Sequence, residues 1–154
     1  FEAADVEADK ALALGPNDAN VLNGAAVLLS HAQQWERAEA LYRRAIRLDP
    51  FGGPLTVSNL VAALYQERKY SESARIALEC LERASSAVGC VVVMAAALGQ
   101  MGKTEEAHAA ALEVERRAPG FRVSVWAQGD RAMQRTSVPT DHFADGLRKA
   151  GVPE

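Results

Sequence analysis

The chain is predicted to be all-α, a stack of repeated antiparallel helix pairs, and three observations lead there. Leu22, Ala25, Ala26 and Leu29 fall at i, i+3, i+4 and i+7, one face of a helix. The same pattern returns at an offset of 34 or 35 residues. Finally, 49% of residues are hydrophobic but only 6% aromatic, with alanine supplying much of the difference. That balance suits helices in close approach better than a β-sandwich.

The bulk properties narrow the class. A length of 154 residues corresponds to about one domain. A charged fraction of 24% is that of a soluble globular protein. A net charge of -3 offers no basic surface for nucleic acid, and no apolar run is long enough to span a bilayer. Two cysteines, Cys80 and Cys90, argue against a disulfide scaffold and fit a reducing compartment, so a cytoplasmic location is expected. No signal peptide is visible. The chain begins at Phe1 without a methionine and reads as a piece of something longer, so missing targeting signals carry little weight.

The elements follow in order. Helices are expected at about 2–14, 19–32, 36–47, 54–67, 71–84, 88–101 and 105–117. In the pair spanning 22–50, Gln33, Gln34 and Trp35 interrupt the first apolar stripe. Ala38, Leu41, Tyr42 and Ala45 then start a second, which Pro50 ends. Asn17-Asp18 caps the helix at 19, and Ser71 and Thr104 precede helices with a glutamate close behind. Gly102 closes the helix ending near Met101. After Pro119, Val125, Trp126, Gly129, Ala132 and Met133 predict one more amphipathic helix, stacked as a terminal cap. A linker at 136–139 leads to a short helix from Thr140, with Phe143, Leu147 and Ala150 on one face.

The period is explicit. Ala4, Ala38, Ser73 and Ala107 correspond, as do Ala8, Tyr42, Ala77 and Ala111. So do Ala11, Ala45, Cys80 and Val114, the terminators Pro16, Pro50, Ser85 and Pro119, and, in the first helix of each pair, Leu29, Leu64 and Leu98. A helix–turn–helix unit of about 34 residues is the tetratricopeptide signature. On these positions residues 1–121 resemble the tetratricopeptide repeat family: a half repeat at 1–18, repeats at 19–53, 54–87 and 88–121, and a C-terminal cap, linker and short helix at 122–154. The middle repeat departs most, with Ser73, Cys80 and Ser85 replacing the usual Ala, Ala and Pro. The resemblance implies a right-handed superhelix, an α-solenoid of about three and a half repeats.

The tail is similar to a narrower pattern. Gly146-Leu147-Arg148-Lys149-Ala150-Gly151 resembles the C-terminal end of bacterial multidomain proteins in which such repeats follow a class III adenylate/guanylate cyclase domain or a winged helix. None of a cyclase's catalytic or metal-binding residues can be placed in this chain.

Chemistry-bearing residues give no active site. Ala97 to Thr104, with Gly102-Lys103-Thr104, fits a phosphate-binding loop, and Val91-Val92-Val93 could pose as its strand; the repeat register instead places Leu98 in a helix and Gly102 in a turn. His31, His108 and His142 lack metal-ligand spacing and are expected as solvent-exposed residues. Cys80 is expected as an inert core thiol and Cys90 as a thiol at a helix start, while Arg116, Arg117 and Arg122 complement a helix C-terminus. No catalytic residue, cofactor or metal is expected.

The resemblance places function on a concave groove lined by the first helix of each repeat. Its positions here are Asn20, Asn23, Val27 and His31, then Leu55, Ser58, Asn59, Ala62 and Tyr65, then Gly89, Val92, Ala96 and Gln100. Members that grip chaperone C-terminal carboxylates use Lys, Arg and Asn there. Only Asn59 matches, so such a clamp is not expected. The groove is neutral and suits an apolar peptide or a helix. The expected role is a non-catalytic scaffold binding a protein or peptide partner, its own 140–150 helix or a second copy of itself. The alternative is a regulatory module behind a nucleotide cyclase.

Overall fold

The computed structural model of the chain describes residues 2–133 and 140–154, so the expected linker at 136–139 lies outside the described residues. The described residues form nine helices and no strand: α1 Glu2–Leu14, α2 Ala19–His31, α3 Trp35–Leu48, α4 Pro54–Gln66, α5 Tyr70–Arg83, α6 Val88–Gln100, α7 Thr104–Arg117, α8 Val123–Met133 and α9 Thr140–Ala150. Each helix from α1 to α7 packs on the next, and α4 also touches α2 and α6. The result is an α-solenoid. Among the described residues no helix is long and apolar enough to cross a membrane.

Small residues set the spacing. Ala25, Ala26, Ala38 and Ala45 are buried beside Leu22, Leu29 and Tyr42, so alanine faces bring helices together around a few large side chains. The Tyr42 hydroxyl lies 3.1 Å from Ser30 Oγ, which in turn donates to the Ala26 carbonyl. One repeat later, Ser73 replaces an alanine in a fully buried position. Its hydroxyl donates to the Val61 carbonyl at 2.9 Å, which removes the penalty of an unpaired buried polar group.

The helix ends follow local chemistry. The Asp18 carboxylate accepts from the backbone N–H of Asn20 and Val21. Pro54 occupies the first turn of α4, where its missing N–H costs nothing. Ser71 and Thr104 are not caps: α5 and α7 begin at Tyr70 and Thr104, behind Lys69 and Lys103, with no side-chain cap bond. In these units the reversal before the second helix is made by a left-handed residue. Gln33 (φ 61°), Arg68 (φ 62°) and Gly102 (φ 68°) occupy corresponding positions. Only the third is the residue that tolerates this geometry freely.

Helix α6 runs unbroken through Val91-Val92-Val93 and Leu98, and Lys103 Nζ reaches Glu106. The phosphate-loop pattern is therefore a helix end and a turn. Arg116 and Arg117 pair with Glu113, and Arg122 with Glu115.

The cysteines differ from expectation. Cys80 of α5 and Cys90 of α6 are joined as a disulfide, with Cα atoms 6.5 Å apart, and there is no free cysteine. The repeat register turns Cys80 toward the following helix, and Cys90 lies on the face of α6 that meets α5. The Cα separation is within the range a disulfide spans. The expectation of two separate thiols, one inert in the core and one at a helix start, does not hold, and with it goes the argument for a reducing compartment.

The C-terminal region also rearranges the expected cap. Among the described residues α8 packs against α9 and not against α7, whereas α9 packs against α6, α7 and α8. Val125 is 65% exposed; the inward residues of α8 are Val123 and Ala127, with Trp126 half-buried. The packing of Gly129, Ala132 and Met133, also expected on that face, lies outside what is described. Gly151 (φ 88°) ends α9, with its N–H donating to the Arg148 carbonyl and that of Val152 to the Leu147 carbonyl. The Val123 N–H then donates to the Pro153 carbonyl, tying the chain end to the start of α8.

Candidate functional site

The expected groove positions separate into an open set and a covered set. On α2, Asn20 and His31 are exposed while Asn23 and Val27 are half-buried. On α4, Leu55 is 66% exposed and Ser58, Asn59 and Ala62 are half-buried. Toward the end of α4 and along α6 the surface closes: Tyr65, Val92 and Ala96 are buried and Gln100 is half-buried, with Gly89 exposed at the helix start. Ser58 turns toward α6, its Oγ 3.1 Å from the Cys90 sulfur.

Helix α9 provides much of the cover. Its Phe143, Ala144, Leu147 and Ala150 are buried in the core shared with α6. Phe143 lies between Tyr65, with centroids 5.0 Å apart edge to face, and Trp126 at 4.8 Å. Two glycines let the helices touch. A Cβ on Gly146 would lie 2.6 Å from the Tyr65 hydroxyl and 2.8 Å from the Ala96 carbonyl oxygen, and one on Gly99 would overlap the Gly146 carbonyl.

A polar network lies beside this contact. The Tyr65 hydroxyl donates to the His142 carbonyl at 3.0 Å, and the Gln100 amide donates to the same carbonyl and to Asp145, each at 3.1 Å. Lys149 donates to the Gln100 carbonyl oxygen and pairs with Asp145. The His142 ring lies against Tyr65 and Tyr70, with Nε2 2.8 Å from the Tyr70 hydroxyl. It is half-buried, not the solvent-exposed residue expected. His31 and His108 are exposed. Burial, then the positive charge of Arg68, lowers the His142 pKa below its ordinary 6.5. Burial likewise raises the Tyr65 phenol well above its usual range, so it stays a hydrogen-bond donor.

Sequence reasoning missed Tyr70, Gly99 and the close approach at Gly146. The signal was present as glycines inside otherwise regular helical patterns, which mark close packing.

Comparison with known proteins agrees with this geometry. Residues 19–48 match the tetratricopeptide repeat family. The first tetratricopeptide domain of Spaghetti, bound to the HSP90 peptide SRMEEVD, superposes with a TM-score of 0.67 at 17% identity, covering 87% of this chain and 90% of that one. The fold is that of tetratricopeptide-repeat proteins. The tetratricopeptide domain of Arabidopsis OM64 gives a TM-score of 0.66 at 16% identity, over 72% of this chain and 91% of that one. YrrB, a tetratricopeptide protein with an unusual peptide-binding site, gives 0.63 at 17% identity, over 93% of this chain and 72% of that one. No curated protein sequence matches the chain significantly.

Proposed function

We propose that the chain is a non-catalytic tetratricopeptide scaffold that binds a protein partner along Asn20, Asn23, Val27, His31, Leu55, Ser58, Asn59 and Ala62. The observation that carries this reading is the contrast between that open row and the remainder of the groove, which α9 helps fill. Tyr65, Val92, Ala96 and Gln100 then belong to the seat of α9 and the buried wall beside it, and the chain's own helix marks the face as one that receives apolar, helical material. Peptide binding by Spaghetti and YrrB supports the same use of the fold. The open row carries no Lys or Arg, so the partner segment is an extended or helical stretch with apolar side chains and not a bare carboxylate terminus.

The test is recovery of partners from a cell extract on immobilised wild type and Ala62→Arg, quantified side by side. A sharp drop for Ala62→Arg supports the groove. Equal recovery of every partner counts against it. The regulatory role behind a nucleotide cyclase rests on the tail's resemblance alone and gains no support from the matches above.

A further inference from the structure

The opposite side of α4 holds a second concavity. Helical periodicity turns Val57 and Leu60 away from Ser58, Ala62 and Tyr65. On that side α3 and α5 leave a gap floored by α4 and closed at one end by the turn through Asp49, Phe51 and Gly53. The cleft has a volume of about 730 Å³, within the range of sites that enclose a ligand. Ile46, Val57, Leu60 and Ile76 line it. Phe51 stands in the turn with 94% of its surface exposed. A large aromatic left in water beside an apolar cleft is uncompensated in the isolated chain.

The charges around this cleft favour one kind of occupant. Four arginines, Arg43, Arg47, Arg75 and Arg83, line it against two acids, Asp49 and Glu79. Arg43 is held by Glu39 and Glu72, and Arg75 by Glu79 at 2.5 Å. Arg47 on α3 and Arg83 on α5 are exposed, one on each wall, and have no acidic partner among the described residues. A molecule of net charge -3 thus places two cations that lack an acidic partner among the described residues beside an apolar floor.

We infer that the α3–α5 cleft is a second protein-binding site, which takes a partner segment whose apolar side chains are flanked by carboxylates. Apolar groups enter over Val57 and Leu60 against Phe51, and the carboxylates meet Arg47 and Arg83. Charge pairing of this type sets orientation and discriminates against neutral and basic segments. The cleft meets the open row only at Asn20, which borders both, while Val57 and Leu60 lie on a different face of α4 from Ser58 and Ala62.

A random peptide library selected against the whole chain tests this directly. The expected result is enrichment of peptides in which Asp or Glu neighbours Leu, Ile or Phe. Measured by fluorescence anisotropy, their binding survives Ala62→Arg, which fills the groove. It falls by about tenfold or more in the Arg47→Glu/Arg83→Glu double variant, as loss of interfacial charge pairs does, and the Arg47→Lys/Arg83→Lys variant retains it. Circular dichroism and melting establish that both double variants are folded. Selection that returns no binders, binders without acidic enrichment, binding abolished by Ala62→Arg, or binding indifferent to charge reversal in the folded variant each overturns the inference.

Discussion

Replacing Gly146 by alanine puts a methyl group where α9 has no room for one. The added carbon would lie 2.8 Å from the Ala96 carbonyl oxygen and 2.6 Å from the Tyr65 hydroxyl. The first is backbone of α6 and cannot rotate away. The second is the end of a ring wedged among Tyr70, His142 and Phe143. The strain must therefore appear as a shift of α9, and overpacking of this kind costs about 1–3 kcal/mol. If the cost falls on the docking of α9 alone, amide exchange in residues 140–150 accelerates about 5- to 150-fold, since roughly 1.4 kcal/mol is a factor of ten. Exchange in α2 and α3, which do not touch α9, stays unchanged. Hydrogen-exchange mass spectrometry of wild type and Gly146→Ala reads both. Unchanged exchange in α9 would mean that the helix is not seated on Ala96 and Tyr65. Equal acceleration throughout would mean that α9 is part of a single cooperative unit and not a separable cover.

Other consequences can be measured on the same protein. Tyr42→Ala should cost about 3–5 kcal/mol in denaturant unfolding, because a 1% exposed ring leaves a cavity between helices; a loss below about 1 kcal/mol would place the register wrongly. Reducing the Cys80–Cys90 disulfide, which closes a separation of 10 residues, should lower stability by about 2–3 kcal/mol on chain-entropy grounds, and no change in the melting curve with reductant would refute the pairing. Arg68→Gly should stabilise by up to about 1 kcal/mol, because Arg68 holds a left-handed φ of 62° that glycine adopts without strain; destabilisation would show that the Arg68 side chain matters more than its backbone. His142 predicts a pH dependence of defined sign. Its docked pKa is below 6.5, so the undocked state binds the proton more readily, and the stability that neutral His142 lends to α9 is lost as pH falls below 6.5. Exchange in α9 that is insensitive to acidification, or equally sensitive in His142→Gln, would contradict this.

The solenoid was legible because its positions constrain one another. Tyr42, Ala77 and Ala111 each pack against an adjacent helix, so the same small-or-large choice recurs at each turn of the repeat, and the helix bounds follow within a residue or two. The groove was legible only as a surface, since its residues contact nothing obligatory and differ from repeat to repeat. What escaped was all non-repeating. Cys80 pairs with Cys90 across two units, so the register placed each cysteine without linking them. The inward face of α8 is ambiguous at Val125 because an 11-residue helix offers too few turns to separate its faces, and α8 packs on α9 instead of continuing the stack. The half-buried setting of His142 has no local signal, because its partners, Tyr65 and Tyr70, lie more than seventy positions earlier.

The seat of α9 gives the proposed groove an energetic property that an open tetratricopeptide surface lacks. A partner confined to Asn20 through Ala62 does not meet α9, whose seat lies on Tyr65, Ala96 and Gln100. One that extends over Tyr65, Ala96 and Gln100 must first displace α9. Its apparent affinity is then reduced by the fraction of molecules in which α9 is undocked. Gly146→Ala and mild acid raise that fraction through different physics, steric overlap in one case and protonation of His142 in the other. Both should strengthen a long partner and leave a short one unaffected. A partner strengthened by neither is therefore bound within the open row, and one strengthened by both has displaced α9 from its seat.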